Sequence, residues 1–157
     1  MDDVTDLLDY PMFVVTTAAG GVRAGCLVGF ATQVSIDPAR FLIGLSKNNH
    51  TYRVATDAQR LVVHLLDRER SDLAELFGST TGDEVDKFAS CTWQPGPDDV
   101  PVLDDAVAWF SGPVLSQHPT GDHVGFLLEV DEAEVRRQPE RLLTLSDVKD
   151  LDPGHDA

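Results

Sequence analysis

Residues 12–31, MFVVTTAAGGVRAGCLVGFA, place two runs of β-branched and aromatic residues on either side of AGG. Such runs suit the pleated surface of a strand, and adjacent glycines supply the positive φ that a tight antiparallel turn needs. The stretch predicts a β-hairpin, which commits the chain to antiparallel sheet from the outset. FLIGLS (41–46), a short apolar run without alternation, reads as a strand buried on both faces, and RLVVHLL (60–66) is a strand by composition. Pro38, in TQVSIDPAR, bars a continuous helix or a central strand position. After the Pro- and Gly-rich QPGPDDVP (94–101), AVAWFSGPVLSQ and HVGFLLEVDEAEV read as two longer strands joined by HPTGD.

Helical patterns are few and short. An amphipathic opening (Val4, Leu7, Leu8) precedes the hairpin, and HTYRVATDA (50–58) has apolar or amphipathic residues at 50, 54, 55 and 58. SDLAELFG (71–78) offers Ser71 as N-cap, Leu73, Leu76 and Phe77 on one side, and Gly78 as the stop. TGDEVDKF (81–88) carries a capping box, Thr81 with Glu84, that opens a further helix. Five or six strands in mostly hairpin order, with short helices between, predict a mainly β fold: a closed or nearly closed antiparallel barrel with helices packed outside. No repeat or linker interrupts it, so one domain is expected over residues 1–149, with the polar tail 150–157 disordered.

Twenty-seven acidic against twelve basic residues give a formal charge of −15, which leaves no long-range attraction toward nucleic acid or an anionic membrane. The N-terminus is acidic rather than basic, and no apolar stretch is long enough to span a bilayer, so a cytoplasmic location is expected. Cys26 and Cys91 form no CxxC pair and read as reduced, mostly buried, small apolar residues.

Three stretches could carry chemistry. In LIGLSKNNHTYRVA (42–55), Lys47, Asn48, Asn49, His50 and Thr51 stand where a strand gives way to a helix. Unpaired first-turn amides, the helix dipole and a lysine favour an anion such as a phosphate there; the alternative is an asparagine helix cap beside a solvated lysine. In AGCLVGFATQVS (24–35), Gly25 and Gly29 permit either close approach of the backbone to a planar ligand or a β-bulge at a barrel corner. In HPTGDHVGF (118–126), a turn leads into His123, which could present its imidazole to a cleft. His118, Asp122 and His123 lack a third strong ligand at metal-site spacing, so no metal is expected. Neither GxxxxGK[ST], GxGxxG nor GxSxG occurs. Trp93, Trp109, Phe110 and Phe77 read as core or subunit interface.

Six segments in this order, YPMFVVTT, VSIDPARFLIGLS, SKNNHTYRVA, LAELFG with DKF, the tryptophan segment leading into PVL, and GDHVGFLLEV, resemble the flavin reductase-like domain proteins, from Tyr10 to Val135. The resemblance implies an FMN-binding split β-barrel and a homodimer with flavin near the subunit boundary. It implies a ring lying along Leu27, Val28, Gly29, Phe30, Ala31, Thr32 and Gln33, a phosphate at Lys47, Asn48, Asn49, His50 and Thr51, and Phe77 and Lys87 bordering the flavin. His123 would stand where reduced nicotinamide docks. Many relatives carry threonine and serine where this chain has Leu27, Val28, Gly29 and Phe30, so hydroxyl donors to the ring are fewer. The implied activity is hydride transfer from NADH or NADPH to FMN, or to FAD, with reduced flavin passing to a partner monooxygenase; a non-catalytic flavin-binding or sensing module is the alternative. Arg23, Arg40 and Arg53 are each available to a 2′-phosphate, with none singled out.

Overall fold

The computed structural model describes residues 1–79 and 86–151. The predicted hairpin is present: β1 (Phe13–Ala19) pairs with β2 (Val22–Val28), with Ala19 opposite Val22 and the turn made by Gly20 at φ 58° and Gly21 at φ 79°. Beyond it lie β3 (Ala31–Ser35), β4 (Arg40–Ser46), β5 (Arg60–Leu65), β6 (Trp93–Pro95), β7 (Pro101–Leu103), β8 (Ala108–Pro119), β9 (His123–Glu129) and β10 (Glu132–Val135). Four short helices accompany them among the described residues: α1 (Asp2–Thr5), α2 (His50–Ala55), α3 (Ser71–Ser79) and α4 (Leu145–Val148).

The main sheet runs β2-β1-β5-β8-β9-β4-β3, all antiparallel. Its two end strands, β2 and β3, are consecutive in sequence and joined only by Gly29 and Phe30. A sheet whose ends are tied by two residues must curl until those ends meet, and the result is a split antiparallel barrel. Alternation on β1 shows how the layers form: Phe13 and Val15 point into the barrel with Cys26, Ile43, Leu61 and Phe126, whereas Met12 and Val14 face a second core under α3 with Leu73, Phe77, Phe88 and Leu143. At the centre of that packing His64 is fully buried, its Nδ1 donating to the Val14 carbonyl (2.8 Å) and its Nε2 accepting from the Leu103 amide (3.0 Å).

Several expectations are corrected. There are ten strands among the described residues rather than five or six. HVGFLLEVDEAEV is two strands, because the chain bends after Glu129: β9 pairs with the second half of β8, and β10 returns to the first half, Glu132 opposite Ser111. QPGPDDVP is a loop only at its middle; its flanks form the small β6-β7 hairpin. β3 spans ATQVS as an edge strand, with Pro38 in the turn beyond it. FLIGLS is not buried on both faces: Ile43 and Leu45 are core, but Leu42 and Gly44 are half-buried on the other side. Val4, Leu7 and Leu8 are exposed, so the opening helix does not dock. α3 begins at Ser71 and passes through Gly78, with the Ala74 amide returning to Arg70, which places the cap one residue earlier.

The Thr81/Glu84 box and residues 152–157 of the tail lie outside the described residues. The first described 3₁₀ turn after the box, Lys87–Ser90, is capped by the Asp86 side chain on the Phe88 amide. Leu151 packs against the second core, so ordered packing extends beyond 149. Among the described residues no helix is long and apolar enough to cross a membrane, and no group of three His, Cys, Asp or Glu side chains is placed to hold a metal.

Candidate functional site

Where the barrel is split, residues at the C-terminal ends of β2 and β4 line a cleft of about 440 Å³. It is lined by Leu27 and Val28 at the end of β2 with Gly29 and Phe30 after it, by Gly44, Leu45 and Ser46 of β4, by Asn49 and His123, and by Tyr10, Met12 and the C-terminal segment with Leu145, Val148, Lys149 and Leu151. Its size falls within the roughly 300–1,000 Å³ of small-molecule sites.

Residues 27–33 do not act as one ribbon. The backbone crosses from one end of the sheet to the other at Gly29–Phe30, so only residues 27–30 face this cleft. Ala31 and Thr32 line a second, apolar groove of about 350 Å³ with Leu42, Thr120 and Gly125, and Gln33 is exposed, its amide donating to the Ser35 carbonyl. Phe30 is the partition between the two, 60% exposed, 5.0 Å from the His123 ring and 6.4 Å from Tyr10.

The two glycines expected to admit a ligand, Gly25 and Gly29, are placed differently. A Cβ on Gly25 would stand 2.8 Å from Cε1 of Phe77, so its missing side chain makes room for the core; Gly29 alone borders the cleft, under Tyr10. Among the described residues the Gly29 and Phe30 amides have no acceptor in the backbone network, which leaves two donors on the cleft wall.

His123 opens β9 and faces both spaces. Its Nδ1 is 2.7 Å from Asp122 Oδ1, an interaction that holds the Asp122 carboxyl below its ordinary value. Nε2 has no hydrogen-bond partner among the described residues, so Asp122 fixes the ring from outside while Nε2 remains open.

The 47–51 junction is arranged differently from a simple cradle. Asn49 caps α2, its side-chain oxygen accepting the Thr51 amide at 2.8 Å. Thr51 is buried, its side chain with that of Asn49 reaching the Cys26 sulfur; burial nonetheless pushes the Cys26 thiol up. The Asn48 amide donates to Ser46 Oγ, and the Lys47 amide to the Asp122 carbonyl. Only Asn49 of the five lines the cleft; Lys47 and Asn48 are exposed beside it and His50 is half-buried.

Phe77 and Lys87 stand behind the wall rather than on it. Phe77 is core, and the Lys87 ammonium donates to the carbonyls of Gly25 (2.9 Å) and Phe77 (3.0 Å), with burial lowering its pKa. The sequence reading missed Tyr10, Met12 and the C-terminal wall. The signal for that wall was TLSD (144–147), a capping box in which the Asp147 side chain accepts the Thr144 amide.

Barrel and cleft together define a small split β-barrel with a mostly apolar, ligand-sized site at its seam. Its family follows from comparison: residues 5–149 match the model of the flavin reductase like domain, and the chain belongs to that family. It is 28% identical over 130 residues to the FMN reductase (NADH) RutF of Methylorubrum extorquens, covering 83% of this chain and 63% of that protein. It is 28% identical over 119 residues to the reductase component of a flavin-dependent trigonelline monooxygenase from Acinetobacter baylyi, covering 75% of this chain and 37% of that one. The chain thus spans less than two thirds of the length of either relative. A crystal structure of a flavin reductase domain protein from Arthrobacter sp. FB24 shares the fold, with a TM-score of 0.83 at 20% identity over 91% of this chain and 87% of that one.

Proposed function

We propose that the chain is an NAD(P)H-dependent flavin reductase acting on FMN. The observation that carries this reading is the seam cleft, mostly apolar, whose lining includes Gly29 and Phe30, with amides that have no backbone acceptor, and His123, with an open ring nitrogen. When bound, the flavin supplies the redox chemistry, accepting hydride from the nicotinamide. The protein holds, orients and shields. Leu27, Val28, Gly29 and Phe30 would lie along the ring and donate backbone hydrogen bonds to it. Asn49, Lys47 and Asn48 would meet the phosphate end at the mouth of α2.

His123, held by Asp122, would orient the nicotinamide at the open edge, bringing the rings into near-attack geometry without itself exchanging a proton. Exposed apolar residues on and just after the edge strand β3, Val34 and Ile36, support a homodimer formed at that edge. The relative that serves as a monooxygenase component supports delivery of reduced flavin to a partner monooxygenase.

One observation favours a second reading, a flavin-binding module without turnover: the Phe30 ring already packs on His123, where nicotinamide would dock. Anaerobic titration of the FMN-loaded protein with NADH and NADPH separates the two. Bleaching of the flavin absorbance is the expected result; a yellow protein that neither nucleotide bleaches overturns the reductase. His123→Ala should slow bleaching at least tenfold while FMN affinity stays within about twofold. Parallel loss of both, or of neither, rejects the orienting role.

A further inference from the structure

Among the described residues, the lining of the seam cleft of a chain with a formal charge of −15 contains no aspartate or glutamate, and one lysine, the exposed Lys149. The chain has three lysines, and the other two are placed elsewhere: Lys87 is buried on the carbonyls of Gly25 and Phe77, and Lys47 does not line the cleft. Seven of the nine arginines are matched to carboxylates, whereas Lys149 forms no ion pair among the described residues.

Its backbone is anchored. Ser146 donates from both its amide and its hydroxyl to the Asp9 carboxylate (3.0 Å each), the Leu145 amide reaches the Tyr10 carbonyl (2.9 Å), and Val148 is buried. An anion entering this molecule does so against the field of its net charge, so it binds only where carboxylates are absent and a cation is local. Among the described residues the lining of the cleft meets both conditions, with Lys149 in its C-terminal segment.

We infer that Lys149 is a phosphate ligand, holding the phosphate of the nucleotide in the cleft from the C-terminal segment, in addition to the α2 mouth. The inference rests on the functional reading above and adds to it a residue outside the 47–51 segment. The phosphate can belong to the flavin or to the pyrophosphate of the nicotinamide dinucleotide, and binding measurements tell them apart.

Lys149→Gln and Lys149→Arg are compared with the parent protein for FMN and riboflavin binding by flavin fluorescence quenching. NAD⁺ and NADP⁺ binding to the flavin-loaded proteins is followed by calorimetry. A loss of roughly fivefold or more for FMN but not riboflavin in the glutamine variant, restored by arginine, assigns the flavin phosphate. Unchanged flavin affinity with a similar loss for either dinucleotide, again restored by arginine, assigns the pyrophosphate. Equal loss for FMN and riboflavin, or a glutamine variant within twofold of the parent for every ligand, overturns the inference while leaving the reductase proposal standing. A parent protein that binds neither flavin overturns the functional reading, and this inference with it.

Discussion

His64 shows how a single side chain ties acidity to stability. Unfolded, its imidazole titrates near 6.5; folded, burial between β1 and β7 pushes it down to about 4. Between those values the unfolded chain holds a proton that the folded chain does not. The stabilisation is therefore complete above about 6.5 and is lost as pH falls toward about 4, on the order of 3 kcal/mol in all. Urea unfolding of H64Q between pH 7 and pH 4.5 should show a protein less stable at pH 7 but with a shallower pH slope than the parent. An unchanged slope removes His64 as the cause. At the α2 mouth, Asn49→Ala should cost about 1 kcal/mol in the same measurement, because the Thr51 amide loses its acceptor. That cap was legible in the sequence, since capping is decided within three residues. The cleft beside it was not, because its walls come from residues 27–30 and 145–151, which no local pattern connects.

Elements follow the same division between near and far. The hairpin, β5, α2 and the chain direction of β8 could be read directly, since composition and turn chemistry act over a few residues. The break between β9 and β10 could not: it exists because two successive stretches pair with different halves of one long strand. The turn Lys87–Ser90 is held by a contact of this second kind. Its ammonium reaches back to β2 and α3, to the carbonyls of Gly25 and Phe77, in a buried setting. Lys87→Met keeps the apolar stem and removes both donors, so denaturant unfolding should show a loss of about 2 kcal/mol. A variant as stable as the parent means those carbonyls are satisfied in another way.

At the level of the whole molecule, protection should be graded across the curled sheet. β5 sits in its middle, with Leu61, Val62, Val63 and His64 all at 0% exposure, while β3 is an edge strand with Thr32, Gln33 and Val34 exposed. Amide hydrogen exchange should be fastest in β3 and slowest in β5, and FMN should slow exchange at Gly29 and Phe30 more than anywhere in β5. Equal slowing throughout would point to global stabilisation rather than binding at the seam.

The two-residue link between β2 and β3 belongs to no strand ladder, yet it supplies part of the cleft wall. Pro11 bridges to Thr144 on the far side, which brings the first and last packed segments of the chain together. A circular permutant of residues 1–157 with new ends at Gly29 and Phe30, and a flexible peptide joining residue 157 to residue 1, would keep every rung of the sheet. It should give the parent's circular dichroism but fail to quench flavin fluorescence, since the opened backbone no longer fixes those two amides. Architecture and recognition are thereby separable by one cut in this chain.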